Sequence, residues 1–144
     1  MTTPEEQKIE RVWVEVDLAN YEDLVLANAG VIPQDKVRRT RIRGVVDSRA
    51  ARLVIPEAVA LQLGLQTPTI GRIQHARPHS ALTFVTTAVH LAYVGRDSVF
   101  NAFVDPDRDT ALIGRVILGE LDLLVDFTAH RLVPRDPEQI VCEM

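Results

Sequence analysis

Cysteine is nearly absent from this chain of 144 residues: Cys142 stands alone, so no intrachain disulfide can form and no multi-cysteine zinc site exists. That usage suits a reducing cytoplasm, and the ordinary role of such a residue is that of a small apolar side chain near the terminus. Positive charge is not in excess either. Sixteen Lys and Arg face 20 Asp and Glu, for a formal net charge of −4. This removes the global electrostatic reason to expect a nucleic-acid or membrane partner. No apolar run approaches the ~18 residues needed to cross a bilayer. The opening MTTPEEQKIE lacks the basic-then-apolar layout of a leader, so a cytoplasmic protein is expected. Neither a phosphate-cradling glycine-rich loop nor a Gly-x-Ser-x-Gly elbow occurs, which leaves nucleotide binding and nucleophilic hydrolysis unsupported. There is no tandem repeat.

What is present is a 47% hydrophobic composition, enough for one cored domain over residues 11–144 behind a loose, charged arm at 1–10. Val12, Val14, Val16 and Leu18 alternate with other residues, the period of a half-buried strand, and Trp13 falls on the opposite face. Asn20 is placed to cap a short helix with Glu22 and Asp23 in its first turn and Gly30 after its end. The chain then breaks at Pro33-Gln-Asp35. Residues 36–47 are strand-like again, and Pro56 to Gly64 reads as a helix with proline first and glycine just past the end. Residues 66–80 are expected to be loop or a mobile hairpin. Two β-rich runs, 81–93 and 98–104, flank a turn at Gly95-Arg-Asp97. After the polar turn 105–109 come Ala111 to Gly114, a short helix to about Leu121, and a final hairpin of 123–127 with 131–133.

Two segments about sixty residues apart share a local grammar. In the first, Val45 and Val46 lead to Asp47-Ser48-Arg49-Ala50 and on to Leu53-Val-Ile55. In the second, Leu112 and Ile113 lead to Gly114-Arg115 and a helix containing Leu118. Together these resemble the motifs of the retropepsin-like aspartic proteases, hydrophobic-hydrophobic-Asp-Thr/Ser-Gly-Ala and hydrophobic-hydrophobic-Gly-Arg. The similarity spans roughly residues 40–134 and looks closest to bacterial single-domain members. It implies an all-β fold, a retropepsin-like acid-protease β-barrel with two or three short helices, in which both strands build a ψ-shaped core under the active site.

The resemblance also implies chemistry. Two aspartates held close cannot both ionise, so they share a proton while a water between them attacks a peptide carbonyl. With one such aspartate per chain, a homodimer donates Asp47 twice. Asp47 is then the catalytic residue. Ser48, Arg49 and Ala50 complete its loop, with the Ser48 hydroxyl bonding the partner loop. Ile113, Gly114 and Arg115 give structural support. Residues 72–85 fall where the family has its flap, and an extended peptide is the substrate. No metal or other cofactor is implied.

Three positions depart from the pattern. Arg49 replaces glycine. At ~5 Å from Asp47 its guanidinium would gain about 3 kcal/mol of attraction at an effective dielectric of ~20, opposing a shared proton. Ala51 stands where viral members carry a carboxylate, so the internal ion pair with Arg115 is not expected. The flap tip, Arg77-Pro-His-Ser80, lacks the usual glycines.

Other readings remain open. Without the resemblance, Asp47 is a turn residue capping its own loop. A catalytically degenerate module of the same fold would bind peptide or dimerise only. Residues 52–65 also echo the helix entry of swapped-hairpin DNA-binding regulators. The basic stretch 36–43 has five cationic side chains in eight residues, but no aromatics interleave with it. An alternating strand with arginines toward solvent or the acidic arm is the plainer account. His75 and His79 have helical ligand spacing, but Pro78 opposes the helix. His90 and His130 read as strand and turn residues. Residues 139–143 are placed, by analogy, to pair across a dimer.

Overall fold

The computed structural model describes residues 11–73 and 81–135. The expectations for the arm 1–10, His75, His79, the flap tip, Cys142 and residues 139–143 lie outside them. The chain is mostly β, as expected, with three short helices among the described residues. Strands β1 (Val12–Asn20), β2 (Arg39–Val46), β3 (Leu53–Pro56), β4 (Thr69–Ile73), β5 (Ala81–Val85), β6 (Val89–Tyr93), β7 (Arg96–Phe100), β8 (Ala102–Asp105) and β9 (Ala111–Ile113) form one curled half-barrel sheet. Its order is β4-β5-β8-β3-β9-β2-β1-β6-β7. A small hairpin, β10 (Leu123–Asp126) with β11 (Arg131–Pro134), packs Leu123 and Leu132 into the same core. The helices are α1 (Tyr21–Asn28), α2 (Glu57–Gln62) and α3 (Arg115–Glu120).

The alternation in β1 sets its faces. Val12, Val14, Val16 and Leu18 are all buried, and burial of such side chains contributes ~1.5–3 kcal/mol each. On the other face Trp13 lies 4.1 Å beneath the Arg43 guanidinium, a cation over the face of its ring. Asn20 caps α1 by accepting the Asp23 backbone N–H at 3.1 Å, and its amide donates to the Leu63 carbonyl at 2.9 Å. Gly30 follows the helix with φ +78.

Several boundaries differ from expectation. Pro56 is the N-cap of α2, in extended conformation, and the helix starts at Glu57. Of the two readings of residues 66–80, loop or hairpin, 69–73 follow the second and pair antiparallel with β5. The run 81–93 splits into β5 and β6, which lie far apart in the sheet. Thr86 breaks it, for its buried hydroxyl accepts the Ala102 N–H at 3.0 Å and its carbonyl accepts from Asn101. The β6–β7 turn is Val94-Gly95, both with positive φ, so Arg96 and Asp97 belong to the strand.

Two arginines of the basic stretch find partners among the described residues. Arg38 pairs with Asp23 of α1 and Arg41 with Asp17 of β1, each at 2.9 Å. Residues 52–65 form β3 and α2, and β3 pairs within its own chain with β8 and β9, so the swapped-hairpin echo has no counterpart in the fold.

Candidate functional site at the Asp47 loop

Strands β2 and β3 are consecutive in the chain but not neighbours in the sheet. Strand β9 runs between them, parallel to β2 (Val46 opposite Ile113) and antiparallel to β3 (Leu53 opposite Ile113). The connection 47–52 must therefore cross over the end of β9. This is the crossed-strand core that the sequence resemblance implies, and it puts Asp47 at the crossing.

The crossing is fastened by backbone. The Asp47 N–H donates to the Ile113 carbonyl at 3.0 Å, and the Arg115 and Val116 N–H groups donate to the Ala50 and Ala51 carbonyls at 2.9 Å each. Gly114 is what lets the two segments come this close. A Cβ built there would stand 2.6 Å from the Ala51 carbonyl carbon and from the Arg52 oxygen, and 2.7 Å from the Arg52 nitrogen. These are backbone atoms that cannot step aside as a flexible side chain would. Ala50, 3% exposed, joins Val54 and Leu112 in a small apolar cluster under the loop.

Arg115 takes a role its missing carboxylate partner left open. Its Nη1 donates to the carbonyls of Ser48 (3.0 Å) and Arg49 (3.1 Å), so it holds the loop by its main chain. The site residues expected from the sequence, Asp47, Ser48, Arg49, Ala50, Ile113, Gly114 and Arg115, are thus brought together.

The carboxylate itself is engaged within its own loop. Asp47 Oδ1 accepts the Arg49 backbone N–H at 2.9 Å, an Asx-turn, so the plain turn-capping account is also correct. In addition Arg49 Nε lies 3.1 Å from Oδ1 and Nη2 lies 3.3 Å from Oδ2. This side-on fork is the geometry that matches a guanidinium to a carboxylate. The Asp47 side chain is 20% exposed and that of Arg49 77%. The sequence placed Arg49 beside Asp47 without showing that it turns back onto it. Sequence reasoning noted Ala51 only for the carboxylate it lacks and missed that the backbone of Ala51 and Arg52 makes Gly114 necessary; the advance signal was the glycine itself. A shallow groove of about 290 Å³ lies alongside, between α3 and β7, and shares Arg52 and Val116 with the site. Among the described residues no group of three or more His, Cys, Asp or Glu is placed to hold a metal, and no helix is long and apolar enough to cross a membrane.

No family model matches the chain, and no curated protein does. Solved structures similar to it include a retropepsin-like aspartic protease and a retroviral protease-like domain. One is a retropepsin-like aspartic protease from Rickettsia conorii, with 14% identity over 81% of this chain and 88% of that one, at a TM-score of 0.48. Another is the retroviral protease-like domain of Ddi1 from Leishmania major, with 14% identity over 67% and 81%, at 0.49. A third is a foamy viral protease-reverse transcriptase solved with an RNA/DNA hybrid, with 21% identity over 56% of this chain and 10% of that one, at 0.45. The chain thus spans about a tenth of the viral protein's length. These are likenesses of fold at low identity, and the site is read from its own residues and distances.

Proposed function

We propose that the chain is one half of a retropepsin-like aspartic endopeptidase, in which two copies bring their Asp47 carboxylates together and cleave an extended peptide. The observation that carries this reading is the loop at the strand crossing, where Asp47 is fastened from beneath through Ile113, Gly114 and Arg115. Paired across a two-fold axis, the two carboxylates share one proton. The ionised member takes a proton from a water as it attacks the carbonyl, and the protonated member gives one up. Peptide is held by backbone pairing in extended form.

A second reading is favoured by one specific contact. With Arg49 forked onto Asp47, the carboxylate is engaged within its own loop, which suits a peptide-binding or dimerisation module without catalysis. Cleavage of a peptide library between pH 3 and 7, with sedimentation to give the oligomeric state, separates the two. Cleavage by wild type that Asp47→Asn abolishes supports the peptidase. Cleavage only by Arg49→Gly assigns the arginine to closing the site. Silence in wild type, Asp47→Asn and Arg49→Gly alike leaves the binding module, and a monomer at all concentrations sinks the paired-aspartate mechanism.

A further inference from the structure

The groove between α3 and β7 takes no part in the chemistry proposed at Asp47. It holds about 290 Å³, and three consecutive residues of β7, Ser98, Val99 and Phe100, border it together with Asn101. Neighbouring side chains on a strand point to opposite faces. Ser98 reaches Glu120 of α3 and Phe100 packs against the main core, so Val99 points the other way. All three can border one groove only through the main-chain edge of the strand. That edge is open, for β7 ends the nine-stranded sheet and has β6 as its one strand partner among the described residues. Such an edge displays backbone N–H and C=O groups with which another extended chain can pair.

The opposite wall is α3, where Val116 is exposed, and buried Ile117 and Leu53 supply an apolar floor. The two ends differ in charge. Arg52 stands at the end beside Gly114, exposed and with no ion pair among the described residues. At the other end the Glu120 carboxylate accepts from the Ser98 hydroxyl at 3.3 Å, and Arg96 donates to the Leu121 carbonyl at 2.9 Å. We infer that this groove docks an extended segment of a partner protein, added to β7 as a further strand, with an apolar side chain over Leu53 and Ile117 and a carboxylate at the Arg52 end. Strand pairing supplies affinity and the groove selects the side chains. A second copy of this chain fits less well. It would bring its own α3, tied to β7 through Ser98 and Arg96, against the same groove, whereas a lone extended segment brings only its side chains.

The test uses fluorescein-labelled octapeptide pools with Val, Leu or Phe at alternate positions and Thr between them. Glu stands at the first position, at the last, or at neither, with Gln in its place. Binding to full-length wild type and to Asp47→Asn, in which no probe can be cleaved, is followed by anisotropy. One of the two Glu pools is expected to bind about threefold tighter than the Gln pool, as an exposed ion pair implies, and which one it is gives the strand direction. Arg52→Gln should remove that preference. N-methylation of one alternate set of peptide nitrogens should weaken binding about tenfold or more, and of the other set far less, because only one set faces β7. A benzophenone at the central apolar position should be captured by β7 or α3. Equal effects of the two methylated sets, no binding of any pool, a Glu preference that survives Arg52→Gln, or capture by residues 47–50 overturns the inference. So does sedimentation that shows self-association abolished by Val99→Lys, which gives the groove to a second copy. The peptidase reading is untouched by these outcomes, since none of them measures cleavage.

Discussion

Among the described residues, two of the carboxylate–guanidinium forks, Asp23–Arg38 and Asp47–Arg49, have opposite standing in the fold. Asp23 and Arg38 meet at 2.9 and 3.1 Å across fifteen residues, and Asp23 also accepts the Arg38 backbone N–H, with the aspartate side chain only 8% exposed. Asp47 and Arg49 meet across two residues at a loop tip, where the arginine is mostly in water. The first joins α1 to the start of β2, so losing it opens a seam. The second ties a loop to itself at an exposed tip, where water competes for both partners. Identical hydrogen bonds thus mean different things according to what they connect and how much water competes for them.

The sharpest break in that contrast is at the support beneath the Asp47 loop. Gly114→Ala is expected to destabilise by about 3 kcal/mol, because the new methyl overlaps backbone atoms of Ala51 and Arg52. Urea unfolding measures it, and a loss below about 1 kcal/mol would mean the crossing is looser than its distances say. Asp23→Asn comes next, at about 2 kcal/mol. It leaves the backbone N–H of Arg38 and its guanidinium with a weaker acceptor, and the arginine's half exposure keeps the figure well below that for a buried pair.

The same aspartate has a pH signature. The Arg38 side-chain hydrogen bonds hold the Asp23 carboxyl below its ordinary value, outweighing the effect of its burial, which raises it. The unfolded chain therefore binds the proton more readily than the folded one. The stability due to this group is complete above the ordinary carboxylate range, and it is lost as pH falls below about 4 through the folded value. The difference in stability between wild type and Asp23→Asn should accordingly shrink in acid. A gap that stays constant down to pH 2 would contradict the pairing. Smallest is Arg49→Ala, with an expected change in stability within about 0.5 kcal/mol, since an exposed local pair contributes little. A change above about 1.5 kcal/mol would make the two pairs alike and remove the contrast.

The site was more legible in the sequence than the sheet around it. Apolar pairs ending in Asp47-Ser48 and in Gly114-Arg115 are local signals, and they mark the two backbone segments that the strand crossing joins. The turn of Arg49 back onto Asp47 was not legible, because it depends on a side-chain rotamer and not on spacing. The Asp23–Arg38 pair was hidden for another reason: its partners meet only after α1 and β2 have taken their places. Composition could not divide residues 81–93 either. Both halves are equally β-prone, and the break at Thr86 is made by bonds to Ala102 and Asn101, fifteen and more residues away.

The position of β9 between β2 and β3 also constrains the order of assembly. The hairpin-like pair that the earlier residues could try to form has to leave a vacant berth, and the strand that fills it arrives only with residues 111–113. Closing so long a loop precedes the contacts that reward it, which slows folding relative to chains built from local pairings. During synthesis the Asp47 loop therefore has no floor until the ribosome has passed residue 116. The nascent chain is kept from displaying a finished site until nearly all of the sheet exists.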